Sequence, residues 1–416
     1  MTALTAFDVR AARAQFPALS LADRGQARIY LDNPAGTQVP QKVIDRTVEC
    51  LTVRNANLGG YFTTSVAAGE LVDEARQACA DFYNASSAHE IVFGQNMTSL
   101  TLHMSRCLGK RFRPGDEIVL SRMDHDANVA PWLLLADDLG LTVRWMDFDT
   151  GAYEFPDDAL TKILSEKTKL LAMGMASNCT GTINDVKRFT AEAKSAGAIV
   201  YLDAVQFAPH LALDVQDLGA DFVVSSAYKW FGPHQGILWG REALLHETFG
   251  YKVRPAGEEL PHKFETGTLS HEGMAGTLGA IEYLEQFGTG ATRAKRLASA
   301  WSALAAYEEK ITLRLIDGLR QVKGLVIRGI TSANAVSRRV PTVSFTLDGH
   351  HPQALAQGFA KDNIFVWSGH NYAIEPVSRM GLMDKGGVLR VGLAHYNTEA
   401  EVDTFLASLT RQIRNA

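Results

Sequence analysis

The 416-residue chain predicts an α/β fold, with a mostly parallel sheet covered by helices on both faces and a smaller α+β domain after it. Three observations lead there. Short apolar runs recur between residues 91 and 239, helix-like segments separate most of them, and the rhythm changes after about residue 286. Strands that alternate with helices pair in parallel through crossovers, and strands buried on both faces read as short, nearly continuous apolar runs.

Taken in order, the amino-terminal stretch MTALTAFDVRAARAQFPALS carries charge inside its apolar spacing and lacks a signal-type apolar core. Residues 1–25 therefore read as a helical segment that packs with the small domain and leads into a cytoplasmic enzyme. Strands are expected at 91–93, 117–120, 141–145, 170–173, 198–202, 222–224 and 236–239, with helices such as 96–108 and 185–195 between them. These fall in a large domain over 26–285. The small domain, 286–416, is expected to hold helices at 291–310 and 311–319, a strand at 343–347, a helix at 352–361, a strand at 388–393 and a final helix at 398–413.

Composition excludes several classes. With 41 Lys and Arg against 46 Asp and Glu, the net charge is −5 and no long block of like charge exists, so neither nucleic acid nor a membrane surface is expected as a partner. No run reaches the roughly 18–20 apolar residues of a membrane span. The four cysteines, Cys50, Cys79, Cys107 and Cys179, are far apart and form no CxxC pair or metal-ligand cluster. They read as buried thiols in a reducing compartment, with disulfides as the alternative, and no metal is expected. No GxGxxG follows a strand, which argues against a dinucleotide-dependent oxidoreductase.

In open α/β sheets, chemistry collects at the carboxyl ends of strands. Four polar stretches follow apolar strands: FGQNMTSL at 93–100, SRMDHDANVAPW at 121–132, YLDAVQFAPH at 201–210 and SSAYKWFGPHQG at 225–236. Asp203 alone reads equally as a helix cap or an internal ion pair, and Lys229 alone as a surface charge. Together at adjacent strand ends they suit a ring-nitrogen cofactor, which needs an amine for its aldehyde and a carboxylate for its pyridine nitrogen.

With YLDNPAGTQVP at 30–40 and LRVGLAHYNT at 389–398, these motifs resemble the class V, fold-type I enzymes that use pyridoxal 5'-phosphate (PLP), specifically the cysteine desulfurase and selenocysteine lyase branch. The resemblance runs from Tyr30 to the final helix. It implies that Lys229 is the Schiff-base lysine and α-proton carrier, that Asp203 pairs with the pyridine nitrogen, that Gln206 meets the phenolic oxygen, and that His125 stacks on the ring. Gln95, Asn96 and Met97 at a helix opening, with Ser226 and Tyr228, would hold the phosphate; Tyr228 replaces a more familiar histidine. Thr268 in FETGTLSHEG would reach the neighbouring subunit's phosphate, which implies a homodimer with shared active sites.

The resemblance also makes Arg390 the α-carboxylate ligand, with Asn178 beside it and Asn33 and Gly36 shaping the pocket. His370 and Tyr372 would line its mouth. Each of these side chains has a plainer alternative as a cap, a turn, an interdomain ion pair or interface packing. Asp126 stands where relatives have a further histidine. The main departure is Tyr372, at the place of the cysteine that accepts sulfur in desulfurases; no cysteine follows Cys179. The expected function is conversion of an α-amino acid through an external aldimine and a quinonoid. Desulfurase-like or β-eliminating C–S/C–Se lyase chemistry without a conventional persulfide cysteine leads. A class V aminotransferase or epimerase, and a catalytically silent PLP-binding regulatory protein, are the alternatives.

Overall fold

The computed structural model describes residues 7–414. Residues 1–6 of the expected amino-terminal helical segment lie outside them. The helix there is short, α1 (Val9–Arg13), followed by a 3₁₀ turn, Pro17–Ser20. Pro17 explains the stop, because the residue before a proline is driven to extended geometry, and Phe16 has φ −106° and ψ 100°. Arg13 pairs with Glu401 at 2.8 Å and so ties this segment to the carboxyl-terminal helix.

Next come α2 (Gln41–Val53), α3 (Thr63–Tyr83), β1 (Ile91–Gly94), α4 (Met97–Gly109), β2 (Glu117–Ser121), α5 (Ala130–Leu139), β3 (Thr142–Met146), β4 (Thr168–Gly174), α6 (Val186–Ser195), β5 (Ile199–Asp203), β6 (Phe222–Ser226) and β7 (Gly236–Gly240). The seven strands form one sheet in the order β1-β7-β6-β5-β4-β2-β3. All neighbours are parallel except β7, which runs against both β1 and β6. The carboxyl ends of β1, β2, β5 and β6 therefore share one edge, which gathers the four polar stretches.

Alternate side chains feed opposite faces: Val200 and Leu202 enter one core, and Tyr201 enters the other. Helix α7 (His271–Glu285) packs so closely on α2 that a Cβ at Gly279 would meet Lys42 O at 2.8 Å and Val43 Cα at 3.0 Å. Its glycines lower helix propensity, which hid this helix from sequence reading, yet the close approach requires them.

The carboxyl-terminal part contains α8 (Arg293–Arg320), β8 (Leu325–Ile327), β9 (Thr342–Leu347), α9 (Pro352–Lys361), β10 (Trp367–Gly369), β11 (Val388–Gly392) and α10 (Glu399–Arg414). An antiparallel sheet runs β8-β9-β11-β10. The two helices expected at 291–310 and 311–319 are one continuous helix. Glu308 interrupts its apolar stripe in the sequence but is buried, 2.9 Å from His210 Nδ1, so the face passes through it unbroken. An early segment also joins this part: Ile29–Tyr30 pairs in parallel with Ile364–Phe365 as a separate two-stranded sheet, and Asp32 bridges to Gly392 of β11. No helix among the described residues is long and apolar enough to cross a membrane.

A buried ion pair fixes the edge of the large sheet. Arg76 on α3 reaches Glu265 at 2.8 Å and Ile91 O at 2.6 Å, while Glu265 accepts Phe93 N–H at 3.0 Å. Removing one partner strands a buried charge, so Glu265→Leu should cost about 3–5 kcal/mol. Arg76→Met combined with Glu265→Leu should recover most of that loss in urea unfolding; a double variant no better than the single one would refute the account.

Candidate active site

Strand β6 ends at Ser226, and a 3₁₀ turn, Ala227–Lys229, carries Lys229 into a cavity of about 600 Å³. Its Nζ donates to Pro34 O at 2.6 Å and Ala35 O at 2.9 Å. Burial, with Arg390 nearby, pulls its pKa down to about 7, although Asp32 and Asp203 oppose the shift. A lysine that gives up its proton near neutrality is a competent nucleophile and proton carrier.

Asp203 ends β5 and is buried on the same edge. Its Oδ1 accepts Val205 N–H at 2.8 Å, and no hydrogen bond reaches Oδ2 from the described residues. Burial pushes the carboxyl up to about 7; Asp124 adds to the shift and Lys229 opposes it. Asp124 is a second buried acid that sequence reading passed over. It accepts from Gly174 N at 2.9 Å and Asn128 Nδ2 at 2.8 Å, locking the loop that carries His125 to strand β4. Gln206 Nε2 donates to Pro34 O at 2.8 Å, so one carbonyl serves both Gln206 and Lys229.

His125 lines the cavity, and its Nδ1 accepts Ala127 N–H at 3.0 Å, which leaves the ring proton on Nε2. Burial, Lys229 and Arg390 lower its pKa to about 3, so the ring is neutral at ordinary pH. Opposite it, α4 opens toward the cavity. Asn96 caps the helix through Ser99 N–H at 2.9 Å, and Met97 N–H donates to Ser226 Oγ at 2.8 Å. Thr98 N–H has no acceptor among the described residues and lies at the positive end of the helix. Tyr228 stacks on His234 at 4.6 Å, and His234, also unnoticed in the sequence, lines the same cavity.

Arg390 approaches from β11. Its Nη1 donates to Asn178 O at 3.2 Å and its Nη2 lies 3.5 Å from Asp32 Oδ1, while its buried Nε has no partner. Asn178 Nδ2 donates to Asn371 O at 2.7 Å, yet Oδ1 of Asn178 and Oδ1 of Asn371 are also buried and unpartnered. Native cores rarely leave so many polar atoms unpaired in one place. Tyr372 sits at the mouth, its ring 5.5 Å from that of His125, and its carbonyl accepts Asp126 N–H at 2.8 Å.

Other expected residues lie elsewhere. Gln95 and Thr268 line an adjoining cavity of about 880 Å³, which shares Asn96, Ser99 and His234 with the first. Asn33 does not face the pocket: its Nδ2 donates to Gly392 O at 2.8 Å and Asn397 Oδ1 at 3.0 Å, and its Oδ1 accepts from Tyr396. Gly36 touches the pocket only indirectly, since it lets the backbone lie against the Tyr228 ring, where a Cβ would sit 3.2 Å from Cδ2. Pro34 and Ala35, between Asn33 and Gly36 in sequence, line the site instead, and their carbonyls accept from Lys229. His370 is exposed, and its Nδ1 accepts Tyr372 N–H at 3.0 Å without lining the cavity.

The family model for class-V aminotransferases matches residues 29–405. The chain belongs to the class-V aminotransferase family. Within it the chain falls in the cysteine-desulfurase-like branch. A cysteine desulfurase of Yersinia pestis (strain Pestoides F) is 32% identical over 421 residues, covering 97% of this chain and 98% of its own. The apo structure of a Thermococcus onnurineus cysteine desulfurase superposes with a TM-score of 0.89 at 27% identity, covering 99% and 100% of the two chains. An Escherichia coli cysteine desulfurase, in an S-sulfonic acid form, gives 0.85 at 27% identity and 99% coverage of both.

The protein is thus a PLP-dependent enzyme of fold type I that acts on an amino acid. The class-V donor set fits the cofactor: a buried amine, a carboxylate with an open oxygen, and a helix amino terminus with a free amide beside a serine hydroxyl. When bound, PLP withdraws the electrons left on an amino acid's α-carbon as a bond there breaks.

The Asp203 environment fixes a pH dependence in the cofactor-free protein. Folded Asp203 keeps its proton to about pH 7, whereas the ordinary carboxyl releases it near 3.8. The folded chain holds the extra proton between those values, so this group's stabilising contribution is lost as pH rises through that window. Asp203→Asn removes the loss. Its melting temperature relative to the parent should therefore climb between about pH 4.5 and about pH 7.5; a pH-independent difference would contradict the assignment.

Proposed function

We propose that this enzyme removes the β-substituent of an α-amino acid and releases it without passing it to a protein thiol. Lys229 takes the α-proton, the Cβ–S or Cβ–Se bond breaks, and its electron pair leaves on the chalcogen. Hydrolysis of the remaining three-carbon fragment gives pyruvate and ammonia. The observation that carries this reading is the burial of all four cysteines. Cys179, the nearest in sequence to the site, is wholly buried with Ala373, Val377, Leu382 and Val388, and burial pushes its thiol up to about 11. Sulfur transfer needs an accessible thiolate.

In this reading Lys229 holds the cofactor's aldehyde carbon, Asp203 its pyridine nitrogen and His125 the ring face. Ser226, Thr98 and the Asn96–Met97 turn hold the phosphate, with Tyr228 beside them and Gln206 toward the phenolic oxygen. Arg390 takes the α-carboxylate with Asn178. Residues 26–285 make the large domain and 286–416 the small one, while 1–25 lean on the latter, as the Arg13–Glu401 pair supports. A second subunit completes the phosphate site through Thr268. The exposed apolar side chains Ile44, Val48 and Leu51 along α2 support such a homodimer. Unpaired thiols throughout support a cytoplasmic setting.

Product analysis with cysteine, its thioethers, selenocysteine and alanine tests the reaction. Pyruvate with a released β-group is expected. A keto acid with pyridoxamine phosphate, or an inverted α-centre, would replace the proposal with transamination or epimerisation, and no product at all would leave a silent binder. Lys229→Ala should abolish turnover while Cys179→Ser retains it. Arg390→Ala should raise KM about 10- to 150-fold, the worth of hydrogen bonds to a charged group at about 1.5–3 kcal/mol.

A further inference from the structure

We propose that the amino acid taken by this enzyme carries a large, neutral, apolar side chain. The inference rests on the reading of the Lys229 cavity as the amino-acid site, and not on which bond breaks there. A second cavity of about 540 Å³ opens directly from the first, and the two share Lys229, His125, Asn178 and Tyr228. Its inner end holds Arg390, where a carboxylate is expected. Its outer walls are Leu102, Ala130, Pro131, Leu134, Trp367 and Tyr372.

The local structure explains why these residues face inward to the cavity. On α4, Thr98 and Leu102 stand one turn apart, so the face that brings the free amide also brings the leucine. On α5, Trp132 and Leu135 are buried in the core, which turns Ala130, Pro131 and Leu134 the other way. Trp367 on β10 and Tyr372 on the following loop close the opposite side. Leu134, Trp367 and Tyr372 are 52%, 57% and 66% exposed, unusual for large side chains grouped at the entrance of a buried polar site.

Charge narrows the class further. The outer part of this cavity carries one carboxylate, Asp126, whose neighbouring titratable groups are His370 and His125. Arg390 lies at the inner end, where it takes the α-carboxylate, and Lys229 is taken up by the cofactor. An acidic side chain would meet Asp126 and greasy walls, whereas an aryl or alkyl group would cover them.

The test uses the holoenzyme and amino acids without a leaving group: alanine, norleucine, homophenylalanine and glutamate, titrated by visible absorbance. Homophenylalanine should bind at least about tenfold more tightly than alanine, the discrimination an apolar pocket provides, and glutamate should be the weakest. Leu134→Asp and, independently, Trp367→Ala should each erase most of the homophenylalanine gain, while Asp126→Asn should improve glutamate. Equal affinities across the series, or a gain indifferent to both wall substitutions, overturn the proposal. A clear gain with no pyruvate from any thioether keeps this pocket and removes the elimination reading instead.

Discussion

The site depends on keeping the Lys229 ammonium away from water with little more than two carbonyls to receive it. A pKa near 7 means that charging this amine in the folded chain costs on the order of 5 kcal/mol more than in water. Exposure would return the lysine to its ordinary, fully charged state at neutral pH. The segment that prevents this is a short irregular stretch near the amino terminus. Asn33 fastens it to β11 and Asn397, Thr37 N–H donates to Tyr228 O, and Phe231 N–H donates to Thr37 Oγ1. Residues 32–37 thus clamp the small sheet to the turn that bears the lysine, and Pro34 and Ala35 present their carbonyls as a consequence.

Near that amine Asp203, Asp124 and Arg390 are all buried, and the last two are fixed by further hydrogen bonds. Asp124 is tied to Gly174 and Asn128, and Arg390 to Asn178, whose amide is tied to Asn371. Beside these bonds, Arg390 Nε and the amide oxygens of Asn178 and Asn371 are buried and unpaired. An arrangement that spends stability on unsatisfied groups is the mark of a site organised before its ligand arrives. Backbone strain adds to it: Asn371 and Tyr372 have φ of +54° and +56°, and the left-handed region suits asparagine far better than tyrosine.

The strands, the shared sheet edge and the lysine–aspartate pair were legible because each has a local signature: an apolar run, then a polar break. What escaped notice had none. Pro34 and Ala35 act through backbone carbonyls, which any residue possesses. Asp124 looked like one more loop acid beside His125, and its burial is set by β4, fifty residues away. Asn33 belongs to a recognisable motif, but only the fold shows its amide consumed by β11. Glu308 made one helix look like two because its partner, His210, lies almost a hundred residues away in the sequence, after β5.

Tyr372 joins these threads. A group that accepts sulfur from a substrate must travel to it, yet the Tyr372 backbone is bonded to Asp126 and its ring lies against His125. The position that would need to move is instead part of the pocket wall. On the proposed reading, a substituent released beside Lys229 leaves past Tyr372, Trp367 and Leu134. On the proposed reading, the buried thiols and the apolar entrance are therefore one feature: the loop gave up delivery and became a surface that selects what enters.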